Sequence, residues 1–175
     1  MKAPGHLFLT GFMCSGKTRV GRALAERLGW PWHDVDREAE ALVGPLQPYF
    51  ASQGEAAFRE LEHEVLGRLV QGERSVISCG GGTPLDPRNR KLMRGTGTAV
   101  LLHVSFPELL ARIGRSGGDR PLLMGLTGAG LEERVGELLA ERHAAYGEAD
   151  QVVEADGSVE EVVEDLLRRF GPQAR

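Results

Sequence analysis

The sequence carries a glycine-rich octapeptide near its start: Gly11-Phe12-Met13-Cys14-Ser15-Gly16-Lys17-Thr18. It matches the pattern G-x-x-x-x-G-K-[ST], in which the glycines let the backbone curl so that successive N–H groups point at phosphate oxygens. Lys17 supplies a positive charge for the β- and γ-phosphates, and the Thr18 hydroxyl can ligate Mg²⁺. The octapeptide therefore predicts a site for ATP and its magnesium ion.

The residues on either side of this loop support that interpretation. An apolar run at 7–10 predicts a strand, and a helix is predicted over about 17–28. The apolar residues of that helix recur at helical spacing: Val20, Leu24 and Leu28. A chance glycine-rich turn is the alternative, but a phosphate-binding loop requires a strand before it and a helix after it. The positive end of this helix would face the same phosphates.

The rest of the chain continues the alternation of strands and helices. Further strands are predicted at 32–34, 76–79, 99–104 and 151–154, and helices at about 53–71, 107–113, 132–146 and 159–169. Strands that alternate with helices favour a parallel sheet covered on both faces, and right-handed crossovers make it doubly wound. We therefore expect a single α/β domain of three layers spanning residues 1–175.

Composition limits the classes of function. The chain of 175 residues has 25 acidic and 21 basic residues, interleaved along the sequence, so we expect no nucleic-acid interface. The two cysteines are far apart and match no metal-ligand spacing, which suits a reducing compartment. No stretch approaches the ~18 apolar residues of a membrane helix, and the first residues lack a signal-peptide cleavage site. We expect a monomeric cytoplasmic protein.

Two carboxylates follow the second predicted strand. On an extended backbone, Asp34 and Asp36 would project to the same side and face the nucleotide. One could hold Mg²⁺ and the other could accept a hydroxyl proton. A helix cap at Asp36 is the alternative, because acids favour helix starts. The common pattern of an apolar strand followed by Asp is absent after Ile77, where Ser78 stands, so Asp34 is the candidate for the metal.

A second group of residues points to a small acceptor. Arg59 and Glu62 are three apart on a predicted helix, where they form either a surface salt bridge or a pair that aims the guanidinium at a substrate carboxylate. Gly80-Gly81-Gly82 follows a buried strand and costs backbone entropy. A plain loop is one explanation for these glycines, and close approach of a ligand at the carboxyl edge of the sheet is the favoured one.

The segment at about 114–130 is polar and rich in glycine, and we interpret it as a mobile lid. Arg120 within it suits stabilisation of charge on a transferring phosphoryl group, and closure would exclude water. Arg142, on the helix that ends near Tyr146, is either a surface residue or a second anion clamp, and in isolation a structural or solvated role is favoured over the clamp. The five histidines show no metal-ligand spacing, and no chemistry is assigned to them.

Taken together, the ordered motifs resemble those of the shikimate kinase family over about residues 7–154. A phosphate-binding loop alone is shared by many nucleotide-binding proteins, whereas the ordered set is far more specific. The set comprises the octapeptide with Val20-Gly21-Arg22, then Asp34-x-Asp36, Gly54-Glu55-x-x-Phe58-Arg59-x-x-Glu62, Gly80-Gly81-Gly82, Asn89-Arg90, Arg120-Pro121-Leu122-Leu123, and Arg142 with Tyr146.

The resemblance implies a P-loop fold like that of nucleoside-monophosphate kinases, with a five-stranded parallel sheet, an acceptor-binding segment at about 35–62 and a lid at about 114–130. It implies transfer of the ATP γ-phosphoryl group to the 3-hydroxyl of shikimate, with Mg²⁺ as cofactor. The implied catalytic residues are Lys17, Asp36 and Arg120. The implied ATP-binding residues are Gly11, Cys14, Ser15, Gly16, Lys17, Thr18, Arg19, Arg115 and Arg120. The implied shikimate-binding residues are Asp36, Arg59, Gly80, Gly81, Gly82 and Arg142, and those for the metal are Thr18 and Asp34.

The chain departs from the family pattern in three places. The family usually shows Arg-x-Pro-Leu-Tyr where this chain has Arg142-His143-Ala144-Ala145-Tyr146. The stretch after Gly44 is about one residue short, and the lid between Arg115 and Arg120 is shortened. Two alternative functions remain open at this point. One is another small-molecule kinase on the same scaffold, acting on gluconate or a nucleoside monophosphate, and the other is a nucleotide-binding module without catalysis.

Overall fold

The computed structural model describes residues 5–116 and 121–171. Five parallel strands form one sheet in the order β2-β3-β1-β4-β5. Their bounds are β1 His6–Thr10, β2 Trp32–Asp34, β3 Val76–Ser78, β4 Gly97–His103 and β5 Gln151–Glu154. The chain moves to one side of β1 for β2 and β3 and returns to its other side at β4. The loop after β1 therefore lies at the topological switch point, where open parallel sheets bind ligands.

Seven helices cover the sheet in the described part of the chain. They are α1 Lys17–Leu28, α2 Val35–Val43, α3 Leu46–Leu69, α4 Pro87–Thr96, α5 Phe106–Arg115, α6 Gly128–Tyr146 and α7 Val159–Phe170. Short 3₁₀ turns lie at Thr83–Leu85 and Pro121–Leu123. None of the helices in the described residues has the length and apolar character that crossing a bilayer would require.

The core lies on both faces of the central strand, as the period of two in a buried strand requires. Leu7 and Leu9 pack with the apolar residues of α1 and α7 on one face. Phe8 points the other way and packs with residues of α2, α3 and α4. Because all three side chains are buried, β1 is enclosed between two helical layers. The expected three-layer, doubly wound fold is confirmed.

Three helical stretches were not predicted from the sequence: α2, the part of α3 before residue 53, and α4. In α4 only Asn89 and Met93 are buried, so this helix lacks an apolar stripe, although Asp86 caps its first turn by accepting from the Arg88 N–H. On the acceptor side, α2 lies wholly before the predicted helix, and α3 begins at Leu46, before the predicted start at 53. Gly54, at φ 84° and ψ 174°, interrupts α3 and breaks the periodicity before it.

The predicted lid is described only in part. Arg120, to which the sequence assigned a catalytic role, lies outside the described residues. Leu123 is buried and joins an apolar cluster with Phe12 and Leu138, which fastens the far end of the lid to α6. Met124, just beyond, is exposed.

Candidate active site

The loop after β1 has the backbone conformation of an anion-binding loop at the start of a helix. Gly11 at φ 145° and Gly16 at φ 97° adopt conformations that side chains rarely tolerate, and a Cβ on Gly11 would lie 2.8 Å from the Leu102 carbonyl oxygen. Gly16 caps α1 without any side-chain hydrogen bond, and the first turn of α1 contains no acidic residue. The first N–H groups of α1 are therefore free to bind phosphate oxygens.

Lys17 folds back onto the loop that it follows. Its ammonium donates to the carbonyl oxygens of Gly11 at 2.9 Å and Phe12 at 2.8 Å. Burial is the main cause that lowers the pKa of Lys17 to about 8, against the opposing attraction of Asp36 and Asp34. The charge is thus held at the centre of the loop, next to the two aspartates that the sequence predicted to share its site.

Asp34 joins the loop to the second strand. The Thr18 hydroxyl donates to Asp34 Oδ2 at 2.8 Å, while Asp34 Oδ1 accepts from the Asp36 N–H at 3.1 Å and the Arg37 N–H at 3.4 Å. Asp34 is therefore the cap of α2, and Asp36 lies in its first turn. The extended geometry expected for these two residues is wrong, and so is the alternative that Asp36 is the cap.

The oxygens of Thr18 and Asp34 fit a magnesium ion. Both are hard ligands, and Asp34 is a buried residue whose carboxylate accepts from the Thr18 hydroxyl. No cluster of three or more His, Cys, Asp or Glu side chains that could hold a metal exists within residues 5–116 and 121–171. A site with few protein ligands suits Mg²⁺, which keeps several waters and binds substrate phosphates.

Ser78 occupies the place where many phosphate-binding proteins carry an aspartate. Its hydroxyl donates to the Lys17 carbonyl oxygen at 2.8 Å and accepts from Trp32 Nε1 at 3.1 Å. A Cβ on Gly21 would lie 2.9 Å from the same indole nitrogen, so α1 packs closely here. Ser78 therefore fixes the first turn of α1 to the sheet. Sequence reasoning missed this role because the bonded residues lie far apart in the chain.

Asp36 is enclosed on the acceptor side of Lys17. Burial is the largest cause that raises the pKa of Asp36 to about 6, followed by the negative charges of Glu62 and Asp34. A carboxylate with a raised pKa is a better proton acceptor than an exposed one. Asp36 Oδ1 lies 2.9 Å from the point where a Cβ on Gly80 would stand.

Arg59 lies next to Gly82, at the other end of the glycine triplet from Asp36. Its Nη1 donates to Glu62 Oε2 at 2.5 Å, and its Nη2 lies 3.4 Å from Glu55 Oε1. A Cβ on Gly82 would overlap the guanidinium, with Nη2 only 2.6 Å away. Because Glu62 is buried at 1% exposure, the pair is no surface salt bridge. Glu62 holds Arg59 against the glycines.

Arg142 is buried at 5% exposure, so the interpretation of this residue as a surface group is wrong. Its guanidinium lies 5.2 Å from the centre of the Phe12 ring, and a Cβ on Gly81 would lie 3.1 Å from Nη1. Tyr146 donates from its hydroxyl to the Gly81 carbonyl oxygen at 2.7 Å. Among the described residues no carboxylate forms an ion pair with Arg142, so this buried cation is available to an anion from outside.

The glycine triplet therefore brings the predicted acceptor residues together. Asp36, Arg59 and Arg142 each contact the space that a side chain on residues 80–82 would fill. We call this region the acceptor pocket, defined by these three side chains and the triplet. Lys17 adjoins the pocket, since both Asp36 and Arg142 act on its pKa.

The residues predicted to contact the rest of ATP are more dispersed. Arg115 ends α5 and lies 3.1 Å from Glu108 Oε1. Its neighbour Arg112, which sequence reasoning did not single out, donates to the Ala155 carbonyl oxygen at 2.6 Å and so ties α5 to the loop after β5. Cys14 has a positive φ of 62° and its Sγ lies 3.6 Å from Ser116 Oγ.

Comparison with known proteins places this geometry in a family. A family model described as shikimate kinase matches residues 13–170. The chain belongs to the shikimate kinase family. A shikimate kinase from Chlorobaculum parvum is 40% identical over 177 aligned residues, which cover 97% of this chain and 94% of the relative.

Solved structures of shikimate kinases agree with this assignment. A crystal structure of shikimate kinase from Bacteroides thetaiotaomicron matches with a TM-score of 0.91 and 33% identity, covering 97% of this chain and all of the other. The structure of shikimate kinase from Acinetobacter baumannii in complex with shikimate matches with a TM-score of 0.85 and 32% identity, covering 96% of this chain and 93% of the other. The resemblance inferred from the ordered motifs is confirmed, and so is the prediction of a small-molecule kinase.

Proposed function

We propose that the protein transfers the γ-phosphoryl group of ATP to the 3-hydroxyl of shikimate, a step in the biosynthesis of chorismate and aromatic amino acids. The observation that carries the proposal is the convergence of Asp36, Arg59 and Arg142 on the glycine triplet beside Lys17. Two guanidinium groups match a small carboxylate, and the aspartate matches a hydroxyl. Membership of the shikimate kinase family supports the choice of shikimate among such acceptors.

The nucleotide would bind through the loop at 11–18. Its phosphates would accept hydrogen bonds from the N–H groups at the start of α1, and the Lys17 ammonium would exchange the loop carbonyls for phosphate oxygens. Thr18 and Asp34 would hold a Mg²⁺ ion, which when bound supplies positive charge to the phosphate oxygens. Arg120 is expected to add positive charge to the transferring group.

The acceptor would lie on the glycine triplet with its carboxylate between Arg59 and Arg142. Asp36 orients the hydroxyl and accepts its proton as the hydroxyl oxygen forms a bond to the γ-phosphorus. The bond between that phosphorus and the β,γ-bridging oxygen breaks, and ADP leaves with the electron pair. Positioning and fixed charges supply most of the acceleration, as in other phosphoryl transfers. We further propose that the protein is a cytoplasmic monomer.

The test is release of ADP from Mg·ATP with and without shikimate, in parallel with gluconate and nucleoside monophosphates. Shikimate should stimulate ADP release far above the rate with the other acceptors. Stimulation by gluconate or a nucleoside monophosphate instead would assign a different acceptor. ATP binding without stimulation by any acceptor would point to a non-catalytic module.

A further inference from the structure

A buried chain of hydrogen bonds runs behind the acceptor pocket. Thr83 follows the glycine triplet and is completely buried. Its hydroxyl donates to Glu62 Oε1 at 2.9 Å, while the other oxygen of Glu62 accepts from Arg59 at 2.5 Å. The two oxygens of one buried carboxylate thus have separate donors, one from the core and one from the proposed acceptor clamp.

The turn that carries Thr83 is itself held in place from α4. Asn89 is buried, and its Nδ2 donates to the Thr83 carbonyl oxygen at 3.0 Å. Arg90 donates from Nη1 to the Pro84 carbonyl oxygen at 2.7 Å. Asn89-Arg90 belongs to the ordered motifs of the sequence, yet the proposed mechanism gives it no chemical task. Its side chains fasten the turn at 83–85, which fixes the direction of the Thr83 hydroxyl.

Glu62 needs a second donor because of what surrounds it. Its Oε1 lies 2.8 Å, and Asp36 Oδ1 2.9 Å, from the same point beside Gly80, so two carboxylate oxygens share a small volume. A buried carboxylate oxygen that loses its donor is costly. If Thr83 gave up its bond, Glu62 would be free to rotate and place both oxygens on Arg59. That change would move the Arg59 guanidinium.

We propose that Thr83 is a positioning residue for the acceptor site, whose hydroxyl fixes Glu62 so that Arg59 stays aligned for the acceptor carboxylate. This inference rests on the proposed function. Thr83 touches neither substrate in this scheme, because its hydroxyl donates to Glu62. Its effect should therefore appear in acceptor binding and not in nucleotide binding.

The test compares Thr83→Val with Thr83→Ser and with Thr96→Val. Valine has nearly the shape of threonine but lacks the donor, and serine restores it. Thr96 is the last residue of α4 and donates its hydroxyl to the Leu92 carbonyl oxygen within that helix. β4 begins at the next residue, so Thr96 lies at the amino-terminal end of a strand, whereas the pocket lies at the carboxyl ends, and it controls for loss of a structural hydroxyl. We expect Thr83→Val to raise the KM for shikimate about three- to tenfold with the KM for ATP unchanged. Thr83→Ser should restore the KM, and Thr96→Val should leave both KM values as they are.

Three results would overturn the proposal. They are an unchanged shikimate KM in Thr83→Val, an equal rise in the KM for ATP, and a failure of Thr83→Ser to restore binding. Circular dichroism and thermal unfolding of each variant show whether it is folded, and a Thr83→Val protein that is folded, less stable and kinetically normal would assign Thr83 to the core alone. If the unmodified protein does not phosphorylate shikimate, the proposed function fails first, which is a separate result.

Discussion

At the residue scale, the ionisation of Asp36 links the structure to a measurable pH dependence. Burial and two neighbouring carboxylates raise its pKa to about 6. Only the ionised form accepts a proton, so kcat/KM for shikimate at saturating Mg·ATP should fall as the pH drops below about 6. Asp36→Asn should lower turnover strongly at every pH and abolish this acidic limb, while ATP binding persists. A wild-type profile that stays flat down to about pH 5 would contradict the role of Asp36 as the base.

Arg59 offers a second test at the same scale. Arg59→Ala removes the fork expected to bind the acceptor carboxylate and should weaken shikimate binding by on the order of 2–4 kcal/mol. Arg59→Lys keeps the charge but not the two-pronged geometry and should recover only part of the loss. Titration calorimetry with shikimate measures both variants. The exposed Arg88→Ala, which breaks a surface network with Asp86 and Glu60, is the matched control. If Arg59→Ala binds shikimate as tightly as the wild type, Arg59 does not bind the acceptor carboxylate.

The residues that sequence reasoning found and missed differ in a physical way. The octapeptide was recognisable because its function depends on neighbours within one turn of chain. Glu62 was recognised as a partner of Arg59 because three residues on a helix bring side chains together. Ser78 and Thr83 were missed because their hydroxyls bond to residues 61 and 21 positions away. No local pattern reports such contacts.

At the element scale, the turn after β3 depends on having no side chains. A Cβ on Gly82 would overlap the Arg59 guanidinium, so Gly82→Ala should displace Arg59 and raise the KM for shikimate several-fold. Steady-state kinetics with each substrate varied in turn measure this effect, and the KM for ATP should stay constant. Gly67→Ala is the control, because a Cβ there meets nothing within 4 Å and alanine suits the interior of α3. If the KM for shikimate is the same in Gly82→Ala and Gly67→Ala, Arg59 can shift away from an added Cβ without weakening acceptor binding.

The predicted elements were those with a strong apolar period. The helix at 17–28 and the central strand were confirmed because their apolar residues face a core on a regular spacing. The part of α3 after Gly54 shows that period too, with Leu61, Val65 and Leu66 buried, and it was predicted. The signal is weak in α2, where only Val35 and Ala39 are buried, and Gly54 interrupts α3 and separates its first turns from the predicted helix.

At the scale of the whole molecule, the strand order assembles the site. The loop at 11–18 follows β1, the glycine triplet follows β3, and Asp34 ends β2, while the order β2-β3-β1 makes these strands neighbours. Parallel strands lie about 4.8 Å apart, so all three groups emerge side by side at one edge of the sheet. The sequence predicted the parallel sheet but not this order. The convergence of the site therefore needed the structure.

The buried carboxylate of Asp36, close to Glu62 and Asp34, should also affect the free energy of unfolding of the whole protein. In the folded protein the pKa of Asp36 is about 6, against an ordinary value of 3.8. A raised pKa means that the contribution of Asp36 to stability is fully present below about pH 4 and is lost as the pH rises through about 6. Above that range the ionised carboxylate opposes folding, because it is buried beside Glu62 and Asp34. Asp36→Asn removes this charge and should raise the free energy of unfolding near neutral pH by on the order of 2 kcal/mol.

Urea denaturation at about pH 4.5 and about pH 7.5 measures the difference. The stabilisation by Asp36→Asn should be larger at the higher pH, where the wild-type carboxylate is ionised. The exposed Glu133→Gln controls for the loss of one negative charge and should change stability little at either pH. An Asp36→Asn protein no more stable than the wild type near neutral pH would mean that the pocket solvates this carboxylate well. A gain in stability together with lost turnover would show that the fold holds a destabilising charge in the place where the proposed reaction needs a base.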